Sequence, residues 1–168
     1  KLAPNHSSLQ TKGKIGYRSI DDFINQPKNT TFDVDVSDLN LNIKDAYYCK
    51  GELKENEYVN KFSKQSITGN INTKGGLKNL DIASLNLKWG AKTSVDLSGN
   101  IKEILSENNL IFDLPNIRFK TDRNSVLSLI DEKKFGVTIP NTIELNSSTS
   151  GTLNDIKTNT VLKLPKGK

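Results

Sequence analysis

A chain of 168 residues is long enough for one sizeable domain and does not require two. Only 34% of it is apolar and 7% aromatic, so any core is expected to be thin; the net charge of +5 is spread along the chain, and the short basic patches at Lys12-Lys14 and Lys163–Lys168 lack the interleaved aromatics of a nucleic-acid footprint. The lone cysteine, Cys49, excludes an internal disulfide, and no apolar run approaches the roughly 18 residues that a membrane-spanning helix needs.

From the amino end, Leu9, Ile15 and Tyr17 keep strand spacing between Ser8 and Arg18. A short helix is expected from Ser19: Ser19 and Asp22 have capping-box spacing, Ile20, Phe23 and Ile24 share one side, and Pro27 stops it. Phe32, Val34 and Val36 alternate, as do Leu39, Leu41 and Ile43. The parity changes at Ser37-Asp38, which calls for a bulge or tight turn there. A second short helix is expected over Leu53–Gln65, with Tyr58, Val59 and Phe62 as its apolar stripe.

The stretch Gly69–Ile101 reads as strand, turn, strand, turn, strand. Ile67, Gly69 and Ile71, then Leu85, Leu87 and Trp89, then Val95, Leu97, Gly99 and Ile101 fall two apart, leaving Thr68, Asn70, Asn86, Lys88 and Asp96 on the other side. Gly75-Gly76 and Gly90 stand where the chain must reverse. Leu110, Phe112 and Leu114, then Ile117 and Phe119, repeat the paired design around Pro115-Asn116. A third helix is expected from Asn124 or Ser125 to about Lys134, with Val126, Leu127, Leu129 and Ile130 inward. Val137 and Ile139, Ile143 and Leu145, Leu153 and Ile156, and Thr160, Leu162 and Leu164 supply the remaining strands, about a dozen in all.

The chain also overlays on itself. Ser8–Ile15 falls on Ser94–Ile101, Asp35–Leu39 on Asp113–Ile117, and Gly75–Leu80 on Gly151–Ile156, which implies two units over about 8–93 and 94–168 of a single domain spanning 1–168. With no methionine anywhere, including position 1, the chain is expected to be a piece or processed product of a longer array.

One-sided strands with three short helices cannot be covered by those helices. The expected fold is mainly β: a curled, antiparallel-rich sheet forming an open groove or a flattened barrel, with about three short helices. Its groove would be lined by Val34, Val36, Leu41, Ile43, Ile67, Ile71, Leu85, Leu87 and Trp89 from the first half. Val95, Leu97, Ile101, Phe112, Leu114, Phe119, Leu145, Leu162 and Leu164 would line it in the second. Such a groove either holds an apolar guest or packs on itself as the dry core of a structural or adhesive spacer.

Taken together, Gly13–Ile24 (GKIGYRSIDDFI), Thr31–Leu39 (TFDVDVSDL), Ile67–Ile71 (ITGNI), Leu85–Gly90 (LNLKWG) and Gly151–Ile156 (GTLNDI) resemble the periplasmic part of the TamB family, in particular its Bacteroidetes-type members. The resemblance spans nearly the whole chain through degenerate β-repeat motifs. It implies a periplasmic protein anchored in the inner membrane, with repeats forming a folded β-sheet around an apolar interior, among the AsmA-like bridge-type lipid-transfer proteins. It further implies a role in outer-membrane biogenesis, with phospholipid or unfolded outer-membrane protein as cargo. An outer-membrane barrel partner of Omp type would bind through regions outside this chain.

No catalytic or cofactor signature accompanies these motifs. Asp33, Asp35 and Asp38 lack the Gly and closing Glu of a calcium loop and are expected on the wet face. His6 and Cys49 are lone candidates where a zinc site needs three or four ligands. Asp21-Asp22 and Asp131-Glu132 belong to helix ends or exposed turns, since carboxylates adjacent in sequence point apart on a helix. No enzymatic activity, metal, cofactor or nucleic-acid partner is expected.

Overall fold

The computed structural model describes residues 7–45, 47, 51–106, 108–132, 136 and 138–165. Eight strands follow one another as an antiparallel meander: β1 (Ser8–Gly16), β2 (Thr31–Leu41), β3 (Ile67–Gly76), β4 (Asn79–Trp89), β5 (Thr93–Lys102), β6 (Ile111–Asp122), β7 (Thr142–Thr152) and β8 (Asp155–Lys163). The sheet is not closed, so of the two expected forms the flattened barrel is excluded and the open one holds. Each strand pairs with its chain neighbours, leaving β1 and β8 as edges.

Eight strands replace the expected dozen because the paired apolar runs fuse. The extra residue at Ser37-Asp38 lets Val36 and Leu39 face the same way: Val36 pairs with Ile71 and Leu39 with Gly69 on β3. In β4, Ile82 and Leu85 flank the bulge at Ala83-Ser84, and in β6, Leu114 and Ile117 flank Pro115-Asn116. The parity change legible at Ser37-Asp38 is therefore a bulge within one strand.

Ile43 and Leu164, both expected on strands, are not. Ile43 opens a 3-10 turn, Ile43–Asp45, beyond the last residue of β2, and Leu164 lies past the end of β8. Leu153 sits in the two-residue turn between β7 and β8, and Ile139 precedes β7 as irregular chain. Val137, His6 and Cys49 lie outside the described residues.

Three short α-helices lie wholly within the described residues: α1 (Ile20–Asn25), α2 (Glu57–Phe62) and α3 (Arg123–Leu127). Ser19 caps α1 as its spacing predicts, its hydroxyl accepting the Asp22 amide proton at 3.0 Å. The second helix is shorter than Leu53–Gln65 because Asn56 starts it afresh: its side-chain oxygen accepts from Tyr58 and Val59, and Gly51–Glu55 before it forms a 3-10 turn. The third begins at Arg123 because Asp122 caps it through the Ser125 amide at 2.9 Å, and it ends at Leu127, short of Lys134, which is also outside the described residues. Each helix packs mainly on chain adjacent to it, so none forms a layer over the sheet.

The two segments that overlay at Gly75–Leu80 and Gly151–Ile156 form hairpins of like construction. Gly76 pairs with Asn79 around Leu77-Lys78, and Thr152 with Asp155 around Leu153-Asn154. Gly75 and Gly151 both hold positive φ, 123° and 128°, and a Cβ on either would meet the carbonyl four residues on, at 2.2 and 2.0 Å.

Candidate functional site: an apolar face without a roof

Register places the apolar residues of all eight strands on one face, in rows running across the sheet. One row reads Leu9, Leu39, Gly69, Leu87, Val95, Phe119, Leu145, Leu162; another, nearer the hairpins, reads Ile15, Phe32, Gly75, Leu80, Ile101, Phe112, Gly151, Ile156. Cross-strand neighbours of this kind stabilise a sheet pairwise, without a second layer. The expected residues Val34, Val36, Leu41, Ile67, Ile71, Leu85, Leu87, Trp89, Val95, Leu97, Ile101, Phe112, Leu114, Phe119, Leu145 and Leu162 all belong to strands and share this face. Leu9, Ile15, Leu80, Ile82 and Ile117 share it as well, and the same alternation could have nominated them.

This face is only partly withdrawn from water. Among the described residues, Val36, Ile82, Trp89 and Ile139 are the buried apolar side chains, and no large side chain is completely enclosed. Toward the edges the face opens fully: Leu9, Ile15, Ile156 and Leu162 are 54–60% exposed. Most apolar residues between are half-buried by their row neighbours.

Trp89 departs from the expected role of groove wall. The Phe62 ring lies 5.1 Å from its indole, centroid to centroid, and its Nε1 donates to the Phe62 carbonyl at 2.8 Å. With both its surface and its polar handle engaged, Trp89 is a plug at one end of the face. At the same end Lys61 of α2 donates to the Leu129 carbonyl at 3.0 Å, joining the β2–β3 and β6–β7 connections. Beside them Arg123 holds Glu132 at 2.6 Å and donates to the Ile139 carbonyl, while Ile139 gives its amide proton back to Glu132.

The two middle rows change character at β7 and β8. After Ile117 one row continues into Ser147 and Thr160, and after Leu114 the other continues into Thr149 and Thr158. These four hydroxyls bond to one another at 2.8–3.4 Å. This hydroxyl patch was not anticipated. Its signal was the two-residue spacing of Ser147 with Thr149 and of Thr158 with Thr160, in phase with the apolar residues.

The opposite face is polar, with complementary rows. Lys14, Asp33, Lys74 and Asp81 lie side by side on β1 to β4, and Asp33 meets Lys74 at 3.8 Å. Asp35 and Asp38 are on this wet face too, as expected. The β4 and β6 bulges open a depression of about 710 Å³ here, bordered by Asn86, Asp96, Arg118, Asn146 and Asn159. This depression lies on the polar side. Among the described residues no group of three His, Cys, Asp or Glu is placed to hold a metal ion, and no helix is long and apolar enough to cross a membrane.

Comparison of the chain with protein-family models, with curated proteins and with solved structures found no match in any of the three.

Proposed function

We propose that this chain is a segment of a periplasmic conduit of TamB type, anchored in the inner membrane through regions outside it, and that its apolar face guides phospholipid acyl chains or unfolded outer-membrane protein strands. The observation that carries the reading is the unroofed apolar face, two of whose rows run from edge to edge. A sheet of this extent that left such a surface wet would exceed the few hundred Å² of apolar patch that soluble proteins ordinarily expose. An acyl chain burying about 15 methylenes gains on the order of 12 kcal/mol before ordering costs, at about 0.8 kcal/mol each. A dry spacer needs a sealed interior, and the few buried apolar side chains of the described residues do not make one.

The test is photo-crosslinking in cells. A benzophenone side chain at Leu87 or Leu97 is expected to capture lipid or client protein, and one at the neighbouring Lys88 or Asp96, on the other face, is not. Equal capture from both faces, or none from either, overturns the proposal. Native mass spectrometry of chain purified without detergent separates the cargoes, since retained phospholipid appears as a discrete mass increment.

A further inference from the structure

We infer that the edge of β8 left unpaired among the described residues accepts β1 of a second copy of this chain, in the register in which β5 starts on β4 after its hairpin, so that copies join end to end into one continuous sheet. The template is inside the molecule. On the sequence overlay β1 corresponds to β5, and the hairpin leading into β8 corresponds to the hairpin leading into β4. The β4–β5 seam pairs Leu80 with Ile101 and Ile82 with Gly99. Transferred outward, these two pairs set Ile156 against Ile15 of the second copy and Thr158 against Gly13; β8 pairs with β7 without the bulge that β4 carries at Ala83-Ser84, so unbroken alternation continues the seam as Thr160 with Thr11 and Leu162 with Leu9.

The two edges fit in length, direction and chemistry. Both strands have nine residues, neither contains proline, and both are exposed throughout. Eight strands is an even number, so the incoming β1 runs antiparallel to β8 as every neighbouring pair in the sheet does. Natural edges are usually blunted by bulges, proline or a charge on the inward face. Here the inward positions are Leu9, Thr11, Gly13 and Ile15 on β1, and Ile156, Thr158, Thr160 and Leu162 on β8. Joining the copies continues the two outer apolar rows across the seam and covers Leu9, Ile15, Ile156 and Leu162, now 59, 60, 55 and 54% exposed. Such a contact is head-to-tail and leaves a free edge at each end, so assembly is open-ended.

One pair opposes it. On the polar face the register sets Lys157 directly against Lys14 of the second copy, and like charges directly opposite weaken a strand pair. That penalty makes the register testable. Sedimentation equilibrium over a concentration series should give a mean mass rising above 18.7 kDa. Lys157→Glu should tighten association by about fivefold, and adding Lys14→Glu should cancel the gain, because two glutamates then face each other. Ile156→Lys, at an exposed edge position, should leave the fold intact by circular dichroism and hold the chain as a monomer.

A cysteine pair supplies the second readout, on a Cys49→Ser background. Mixing Thr160→Cys chains with Thr11→Cys chains should yield disulfide-linked pairs under mild oxidation, whereas Asn159→Cys with Thr11→Cys, on opposite faces, should not. A mass of 18.7 kDa at every concentration for both the wild type and Lys157→Glu overturns the inference. Equal cross-linking of the two cysteine mixtures does so as well. Neither result bears on what the apolar face carries, so the conduit proposal stands or falls separately.

Discussion

The Trp89 indole and the Phe62 ring pack at 5.1 Å between centroids, and the same two residues share a hydrogen bond from Nε1 to the Phe62 carbonyl. A side chain at the end of β4 is thereby tied to the last residue of α2. Phe62 is 38% exposed, so its loss should cost less than a fully buried phenylalanine. Phe62→Ala is expected to destabilise the chain by about 2 kcal/mol. Because Trp89 is the only tryptophan, its emission should shift to the red in the folded variant, and urea unfolding read by fluorescence measures both effects.

Much of this arrangement was legible in the alternation of apolar residues, and its failures have local causes. The strand faces could be read because a period of two survives wherever a sheet has one wet side. The bulge at Ser37-Asp38 could be read from a parity change. Ile43 was misplaced because the alternation Leu39, Leu41, Ile43 runs on after the strand has ended, and pairing, not pattern, decides where a strand stops. The helix starts at Asn56 and Asp122 were missed because a cap is made by one side chain whose partners are amides, which leave no mark on hydropathy. Trp89 was placed correctly on its face and wrongly as open wall, since its cover comes from a connection some 27 residues earlier in the chain.

Gly99 tests the seam between the bulged strands. It sits in β5 with φ of 147°, and a Cβ there would lie 2.2 Å from the Asp113 carbonyl oxygen and 2.8 Å from the Leu114 Cα. Gly99→Ala must therefore push β6 away or distort its own backbone, at an expected cost of about 2 kcal/mol. Gly13→Ala in β1 is the control: its nearest neighbour would be 3.4 Å away, an ordinary contact. Denaturant midpoints should fall for the first and hold for the second.

Glu132 joins Arg123 to the chain before β7, accepting from the Arg123 guanidinium and from the Ile139 amide, each at 2.6 Å. Glu132→Ala removes both acceptors and leaves the buried Ile139 with an unpaired amide. A loss of roughly 2 kcal/mol is expected. The discriminating measurement is hydrogen exchange, which should accelerate at Ile139 more than at β1 or β8.

Acidity should act on α3 through its cap. The Asp122 carboxyl is held below the usual carboxylate range, first by the Ser125 hydroxyl, then by the Ser125 amide, with the Lys92 charge adding to them against desolvation. A carboxyl whose folded value is lowered stabilises the fold above its unfolded value of about 3.9, and that contribution is lost as pH falls through the folded value. Protection of the Ser125 amide should accordingly weaken as solutions are acidified below about pH 4. Asp122→Asn keeps a capping oxygen that does not titrate, so its Ser125 amide should show no such step.

The hydroxyl patch gives a handle on cargo. Thr158→Val and Thr160→Val exchange hydroxyls for methyls of nearly the same size and extend the apolar rows to the β8 edge. At roughly 1 kcal/mol for each hydroxyl no longer desolvated by a guest, the double variant should hold a fluorescent fatty acid about thirtyfold more tightly. Unchanged or weaker binding would show that acyl chains do not reach β8.

The bulges carry an implication of their own. Val36 and Leu39, Ile82 and Leu85, and Leu114 and Ile117 are each three positions apart, so deleting one residue between the members of each pair would restore plain alternation and keep every side chain on its present side. The surplus residue in every second strand up to β6 is thus redundant for sorting oil from water. What it supplies is curvature, so the shape of this surface can be altered, by three single-codon deletions, without touching its greasiness.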